Sequence, residues 1–223
     1  MLSGAQEKLI RSLHTKKGRQ KSGLCLVEGP RAVKAAGSAV EWTFTAADIG
    51  SFDELVTTET PQDVAAVARI PKWSMDAVMA RSTVVVLDGV HDPGNVGAVL
   101  RLALGFDASV LLVESADVAS PKVIRSSAGA IFGVPWMSIA RGEAATIITG
   151  LVRPVYRLEH AQGAKSIDAI ETKDRIVLIA GSEGRGITLD IGGTSVTIPH
   201  NQALESLNVG HALAIALFLR ARF

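Results

Sequence analysis

The sequence predicts an α/β protein in which a smaller, basic N-terminal α/β unit precedes a larger unit built on a parallel sheet. Three observations support this. Short aliphatic runs at residues 83–87, 109–113 and 175–180 have the length and near-continuous apolarity of strands buried on both faces. They alternate with stretches of helical spacing, which implies crossover connections and a parallel sheet. Charge is also polarised: residues 1–34 carry eight Lys or Arg against Glu7 and Glu28, a net +6, whereas the remainder carries −5. A basic arm on a nearly neutral chain is the footprint of a polyanion, most simply nucleic acid.

In chain order, residues 14–19 form a polar loop carrying Lys16, Lys17 and Arg19, followed by an apolar strand at 23–29 that ends in glycine. Residues 31–37 have helical spacing and carry Arg31. Residues 40–44 suit a strand, 52–56 a short helix, and 64–68 a closing strand after the Thr60-Pro61-Gln62 turn. Residues 70–81, with Pro71 and Trp73, form the best linker, so the domain boundary is placed near Ala80, dividing 1–79 from 80–223. Trp73 beside a proline at a junction is expected to anchor packing. After the 109–113 strand, Ser120-Pro121 opens a helix over 122–132 with proline at its favoured first position. Further strands are expected at 136–139, 154–158 and 195–198, with helices at 143–149, 166–170 and 209–219.

The stretch LDGVHDPGNVGAVLRLALGF, residues 87–106, joins the strand at 83–87 to a helix through a turn of specialised residues. Asp92-Pro93-Gly94-Asn95 is a turn sequence, and Asn95 is suited to cap the helix. Helical side chains lean toward the N-terminus, which lays Arg101 over the turn of Gly97 and leaves its guanidinium room to reach the loop. Two later stretches also end apolar runs in polar loops: LIAGSEGRGI at 178–187 and IPHNQALESLNV at 198–209. The glycine spacing of the first of these fits neither a P-loop nor a dinucleotide fingerprint, which disfavours a nucleoside-triphosphate site.

These three stretches, in this order, resemble the SpoU-type RNA methyltransferases. SPKVIRSSAGA at 120–130 matches a further family pattern. The resemblance implies a ribosomal-protein-like α/β RNA-binding domain at the N-terminus, then a parallel-sheet α/β methyltransferase domain with a C-terminal trefoil knot. It implies methyl transfer from S-adenosyl-L-methionine to a ribose 2′-hydroxyl of structured RNA, ribosomal RNA before transfer RNA, by a homodimer. The matching catalytic positions are Asn95, Arg101, Glu183, Ser206 and Asn208. Gly181, Gly184, Ile198 and Leu207 fall at cofactor positions, and Lys16, Lys17, Arg19, Arg31, Lys122 and Arg125 are candidates to face RNA. Arginine is protonated at any ordinary pH, so Arg101 is expected to stabilise an oxyanion rather than act as a free base. The chain departs from the family where RLALGF closes the first stretch, and where His200-Asn201-Gln202-Ala203 stands in place of a Met and glycines. The alternatives are an RNA-binding protein of this fold that no longer methylates, or a transfer-RNA 2′-O-methyltransferase.

Composition sets limits on the rest. The longest apolar run, 212–219, is far shorter than a bilayer span, and charges occupy the region where a signal peptide needs apolar residues, so a cytoplasmic protein is expected. Cys25 is the single cysteine, which excludes an intrachain disulfide. The five histidines are scattered, and no metal is expected.

Overall fold

The computed structural model describes residues 2–49, 52–170, 174–201 and 203–221. Gln202, in the departing third stretch, lies outside the described residues. In chain order the first elements are α1 (Gly4–Leu13), α2 (Lys16–Ser22), β1 (Leu24–Glu28), α3 (Pro30–Ala36), β2 (Val40–Thr45), α4 (Phe52–Leu55), β3 (Val64–Arg69) and α5 (Met75–Ala80). Next come β4 (Thr83–Asp88), α6 (Pro93–Gly105), β5 (Ser109–Val113), α7 (Pro121–Ser126), β6 (Trp136–Ile139) and α8 (Arg141–Gly150). The chain continues with β7 (Val155–Leu158), β8 (Lys165–Ser166), β9 (Ile176–Gly181), β10 (Thr194–Thr197) and α9 (Val209–Ala221).

Two compact units form. The first comprises Met1–Lys72 together with Asp117–Gly133, so α7 belongs to it although it lies far along the chain. Its antiparallel sheet has the order β1-β3-β2. Ile10, Leu13, Leu26, Phe44, Phe52 and Leu55 make its core, each buried side chain of this size contributing roughly 1.5–3 kcal/mol. Burial pushes the Cys25 thiol up to about 12, which keeps it protonated and unreactive. Residues 14–19 are not a loop. Thr15 accepts from the Gly18 amide and starts α2 there.

The second unit, Trp73–Ala116 with Val134–Phe223, holds a parallel sheet of order β6-β5-β4-β9-β7-β10-β8. Val84, Val86, Leu111, Val113, Val177 and Ile179 lie in its core, as continuous apolar runs predict. β4 runs to β5 and β6 on one side and pairs with β9 on the other, in the register Asp88↔Gly181. Chain direction across the sheet therefore reverses beside β4. In open α/β sheets, ligands bind at the carboxyl ends of strands next to such a reversal. The first and second motif loops leave from adjacent strand ends at that point, and the third leaves from β10.

Three local expectations differ. The helix expected over 122–132 stops at Ser126, because Ala128 and Gly129 take positive φ of 51° and 81°, and resumes only as a 3-10 turn at Ala130–Phe132. The 166–170 helix is the short β8 followed by a 3-10 turn, Ile167–Ala169. The linker contains α5, capped by Ser74. Trp73 is half-buried, and its Nε1 is inaccessible and unpartnered among the described residues.

Candidate active site

The helix carrying the first motif is capped by Asp92, whose Oδ1 accepts from the Asn95 amide at 2.8 Å, and not by Asn95 itself. Asp92 sits three residues earlier, where the capping geometry requires it, and Pro93 fills the first helical position. Asn95 is thereby released to point elsewhere. Its Nδ2 donates to Glu183 Oε1 at 3.0 Å, and its Oδ1 accepts from Asn208 Nδ2 at 2.9 Å.

Asn208 closes the cluster. Its Oδ1 accepts from the Gly210 and His211 amides and so caps α9, which turns its Nδ2 toward the site. That nitrogen donates to Glu183 Oε1 at 2.7 Å as well as to Asn95. Glu183 thus takes two amide donors on Oε1, while its Oε2 accepts nothing from the described residues and is open to a ligand. One carboxylate and two amides, from the first turn of α6, the loop after β9 and the residue before α9, meet at one point.

The second motif loop is folded back on itself. The Gly186 amide donates to the Ser182 carbonyl at 2.8 Å, and a Cβ at Gly181 would fall 2.0 Å from the Gly186 carbonyl oxygen. Glycine at 181 is therefore demanded by the loop's own backbone. At Gly184 an added Cβ meets nothing within 4 Å.

Sequence reasoning missed the residues that hold the far end of this loop. Asp88, buried at the end of β4, accepts from the Thr188 and Leu189 amides and from Arg141 Nη2 at 2.8 Å. Arg141 also donates to Glu114 and to the Thr188 hydroxyl. Hydrogen bonds to Glu114 and Asp88 push its pKa further above the usual arginine range. The signal was present: a carboxylate closing an all-apolar strand must find partners when buried.

A cleft of about 290 Å³ lies beside the cluster, lined by Gly181, Ser182, Glu183, Arg185, Ser206 and Leu207 among others. A smaller lobe of about 110 Å³ shares Leu158, Glu159, His160, Ser206, Leu207 and Ala212 with it and adds Val196, Ile198, His200 and Glu205. Glu159 is hydrogen-bonded by Arg157 at 2.9 Å and Ser195 at 2.5 Å. Burial opposes its ionisation, but these bonds and the Arg157 charge outweigh that effect and hold the carboxyl below its ordinary value.

Of the cofactor positions, Gly181, Leu207 and Ile198 line this two-lobed cleft. Gly184 does not appear on its wall. Of the catalytic positions, Asn95, Glu183 and Asn208 are joined, and Ser206 lines the cleft without entering the hydrogen-bonded cluster. Arg101 stands apart. It lies six residues beyond Asn95, about 120° around the helix by the 3.6-residue period. It is exposed and has no ion-pair partner among the described residues.

The basic residues of the first unit divide. Lys16, Lys17, Arg31 and Lys122 are exposed. Arg19 is 4% exposed, with its guanidinium on Asp117 at 2.6 Å and on the Leu13 carbonyl at 2.7 Å, which leaves it no face for a phosphate. Arg125 is half-buried and pairs with Glu28, a carboxylate that also accepts from the Thr57 amide and hydroxyl. Both arginines are paired within the first unit, Arg19 almost fully buried and Arg125 with 30% of its side chain exposed. Among the described residues, no group of His, Cys, Asp and Glu could hold a metal ion, and no helix is long and apolar enough to cross a membrane.

Comparison with known proteins places this geometry. Residues 82–218 match the SpoU rRNA Methylase family. The chain is 38% identical over 181 residues to a 23S rRNA (adenosine(1067)-2′-O)-methyltransferase of Streptomyces laurentii, covering 76% of this chain and 66% of that protein. It is 30% identical to the 23S rRNA (guanosine(2553)-2′-O)-methyltransferase of Bacillus subtilis, covering 93% of this chain and 92% of that one. Among solved structures, a TrmH-family protein from Porphyromonas gingivalis superposes with a TM-score of 0.85 at 31% identity, covering 99% of this chain and 98% of that one. An AdoMet-bound rRNA methyltransferase from Sinorhizobium meliloti shares the fold, with a TM-score of 0.85 at 24% identity over 100% of this chain and 96% of that one.

Proposed function

The chain belongs to the SpoU rRNA Methylase family, and we propose that it transfers a methyl group from S-adenosylmethionine to a ribose 2′-hydroxyl of ribosomal RNA in the cytoplasm. The observation that carries this reading is the convergence of Asn95, Glu183 and Asn208 on the rim of a two-lobed cleft. The cleft fits the cofactor: an apolar floor of Leu158, Val196, Ile198, Leu207 and Ala212 suits a flat base, and a polar rim suits its charged end. When bound, S-adenosylmethionine supplies the electrophilic methyl group.

The chain's own residues do the rest. The open Oε2 of Glu183 accepts a hydrogen bond from a ligand hydroxyl or ammonium, and the two asparagines keep that carboxylate fixed in place. Ser206, on the cleft wall, helps position the reacting end. Arg101 supplies the charge that a developing alkoxide needs, and its planar fork can grip hydroxyl and phosphate together. In-line transfer requires close approach, and positioning of this kind is what a preorganised site contributes. Exposed Lys16, Lys17 and Arg31 support the reading of the N-terminal domain, residues 1–79 with its linker, as the RNA-binding part, and exposed Lys122 on α7 belongs to the same compact unit. The insertion of β9 between β4 and β7 supports the trefoil knot that the family implies. Leu104 on α6 and Ile215 and Phe218 on α9 are large exposed apolar side chains, which suits burial in a homodimer.

The test is incubation with methyl-labelled S-adenosylmethionine and protein-free bacterial RNA. Label should appear in ribosomal RNA within alkali-resistant dinucleotides, because a 2′-O-methyl group blocks cleavage at its own ribose. RNA binding without transferred label would identify a binding protein of this fold. Label on bases, or only on transfer RNA, would overturn the ribose or the ribosomal assignment respectively.

A further inference from the structure

The smaller lobe of the cleft has two imidazoles in its wall. The rings of His160 and His200 lie 6.4 Å apart with their planes at 60°, and both line the lobe. His200 Nδ1 is 2.7 Å from the Ile198 carbonyl oxygen. A carbonyl oxygen can only accept, so Nδ1 carries the proton, and a neutral His200 presents a bare lone pair on Nε2. No described residue hydrogen-bonds to that nitrogen. The rest of the lobe floor is apolar, formed by Leu158, Val196, Ile198, Leu207 and Ala212.

Glu183 lines the larger lobe and not the smaller one. The reacting end of a bound cofactor therefore belongs in the larger lobe, and its base falls in the smaller. We propose that His200 is a specificity-determining residue that reads the 6-amino edge of the cofactor's adenine through Nε2. This rests on the cofactor reading above and deepens it. The 6-amino group donates, so it pairs with the lone pair. A 6-oxo group, as in hypoxanthine, would set two acceptors against each other and leave both unpaired.

Calorimetry on the full chain with S-adenosylhomocysteine and its deaminated analogue S-inosylhomocysteine tests the assignment. The wild type should prefer the adenine ligand by roughly tenfold. His200→Phe, which keeps a flat ring without the lone pair, should bind the two ligands within about twofold. His211→Phe, at an exposed histidine that lines neither lobe, should keep the wild-type preference. A tenfold preference surviving in His200→Phe overturns the assignment. So does a wild type that binds the two ligands equally, a result that stands even if the variants fail to fold. If neither ligand binds the wild type, the cofactor reading itself fails, a different outcome from loss of base discrimination.

Discussion

Each unit sets paired cations against open ones, but at different places. In the first, Arg19 on Asp117 and the Leu13 carbonyl and Arg125 on Glu28 are paired, whereas Lys16, Lys17, Arg31 and Lys122 are exposed. In the second, Arg141 on Asp88 and Arg157 on Glu159 are paired, whereas Arg101, exposed on α6, has no ion-pair partner among the described residues and stands outside the ordered cluster of neutral amides and a carboxylate. A basic stretch is therefore not one functional surface. Once a guanidinium is buried against a carboxylate its charge is neutralised locally, and it contributes to folding; an unpaired cation retains its field for a ligand. The +6 of the N-terminal segment overstates what faces outward.

The largest effect should come from breaking the internal use. Arg19→Ala leaves Asp117 three-quarters covered without its partner, and should cost about 2–4 kcal/mol in urea unfolding, toward the lower side of buried-pair losses because Asp117 is partly solvated. RNA affinity of the folded fraction should not change. If stability is untouched and RNA binding falls, the contrast between paired and open cations is wrong.

Next in size is the external use. Arg101→Ala should slow single-turnover methylation by ~100-fold or more with cofactor affinity nearly intact, because the charge acts only as the oxyanion develops. Arg101→Lys should recover little, since the planar fork is lost. Near-normal rates in a folded Arg101→Ala protein would remove it from the chemistry.

A smaller effect should follow at the exposed lysines. Lys16→Ala with Lys17→Ala should leave melting unchanged, weaken RNA binding by roughly tenfold, and lower the salt slope by about one to two. This pair sharpens the comparison better than deleting residues 1–78. The first unit includes α7, whose Val123 and Ile124 are buried there, so deletion would uncover them and confound binding with folding. An unchanged salt slope would place the polyanion contact elsewhere.

The smallest expected effect is at Gly184, set against a large one at Gly181 in the same loop. Gly184→Ala should change S-adenosylmethionine affinity by less than about threefold, since the new methyl meets nothing, whereas Gly181→Ala collides with backbone and should abolish binding by displacing the loop. Calorimetry showing equal losses at both positions would mean that Gly184, too, is pressed against the ligand.

What the sequence determined by itself was whatever depends on near neighbours. Runs such as 83–87 and 109–113 read as buried strands because both faces are apolar, and the parallel sheet follows from their alternation with helices. The motif loops were legible for the same reason, since each interrupts an apolar run with polar residues at a strand's end. Even local reading failed where one residue's conformation decided. Ala128 and Gly129 at positive φ broke a helix that periodicity continued, and Asp92 took the cap expected of Asn95. Tertiary structure alone decided which polar residues meet. Asn95 reaches Glu183 across 88 positions and Asn208 across 113, and Arg19 finds Asp117 across 98. Sequence spacing carries no distance over such separations. A side chain's charge is neutralised or left open by partners that the chain brings alongside only when the sheet is assembled.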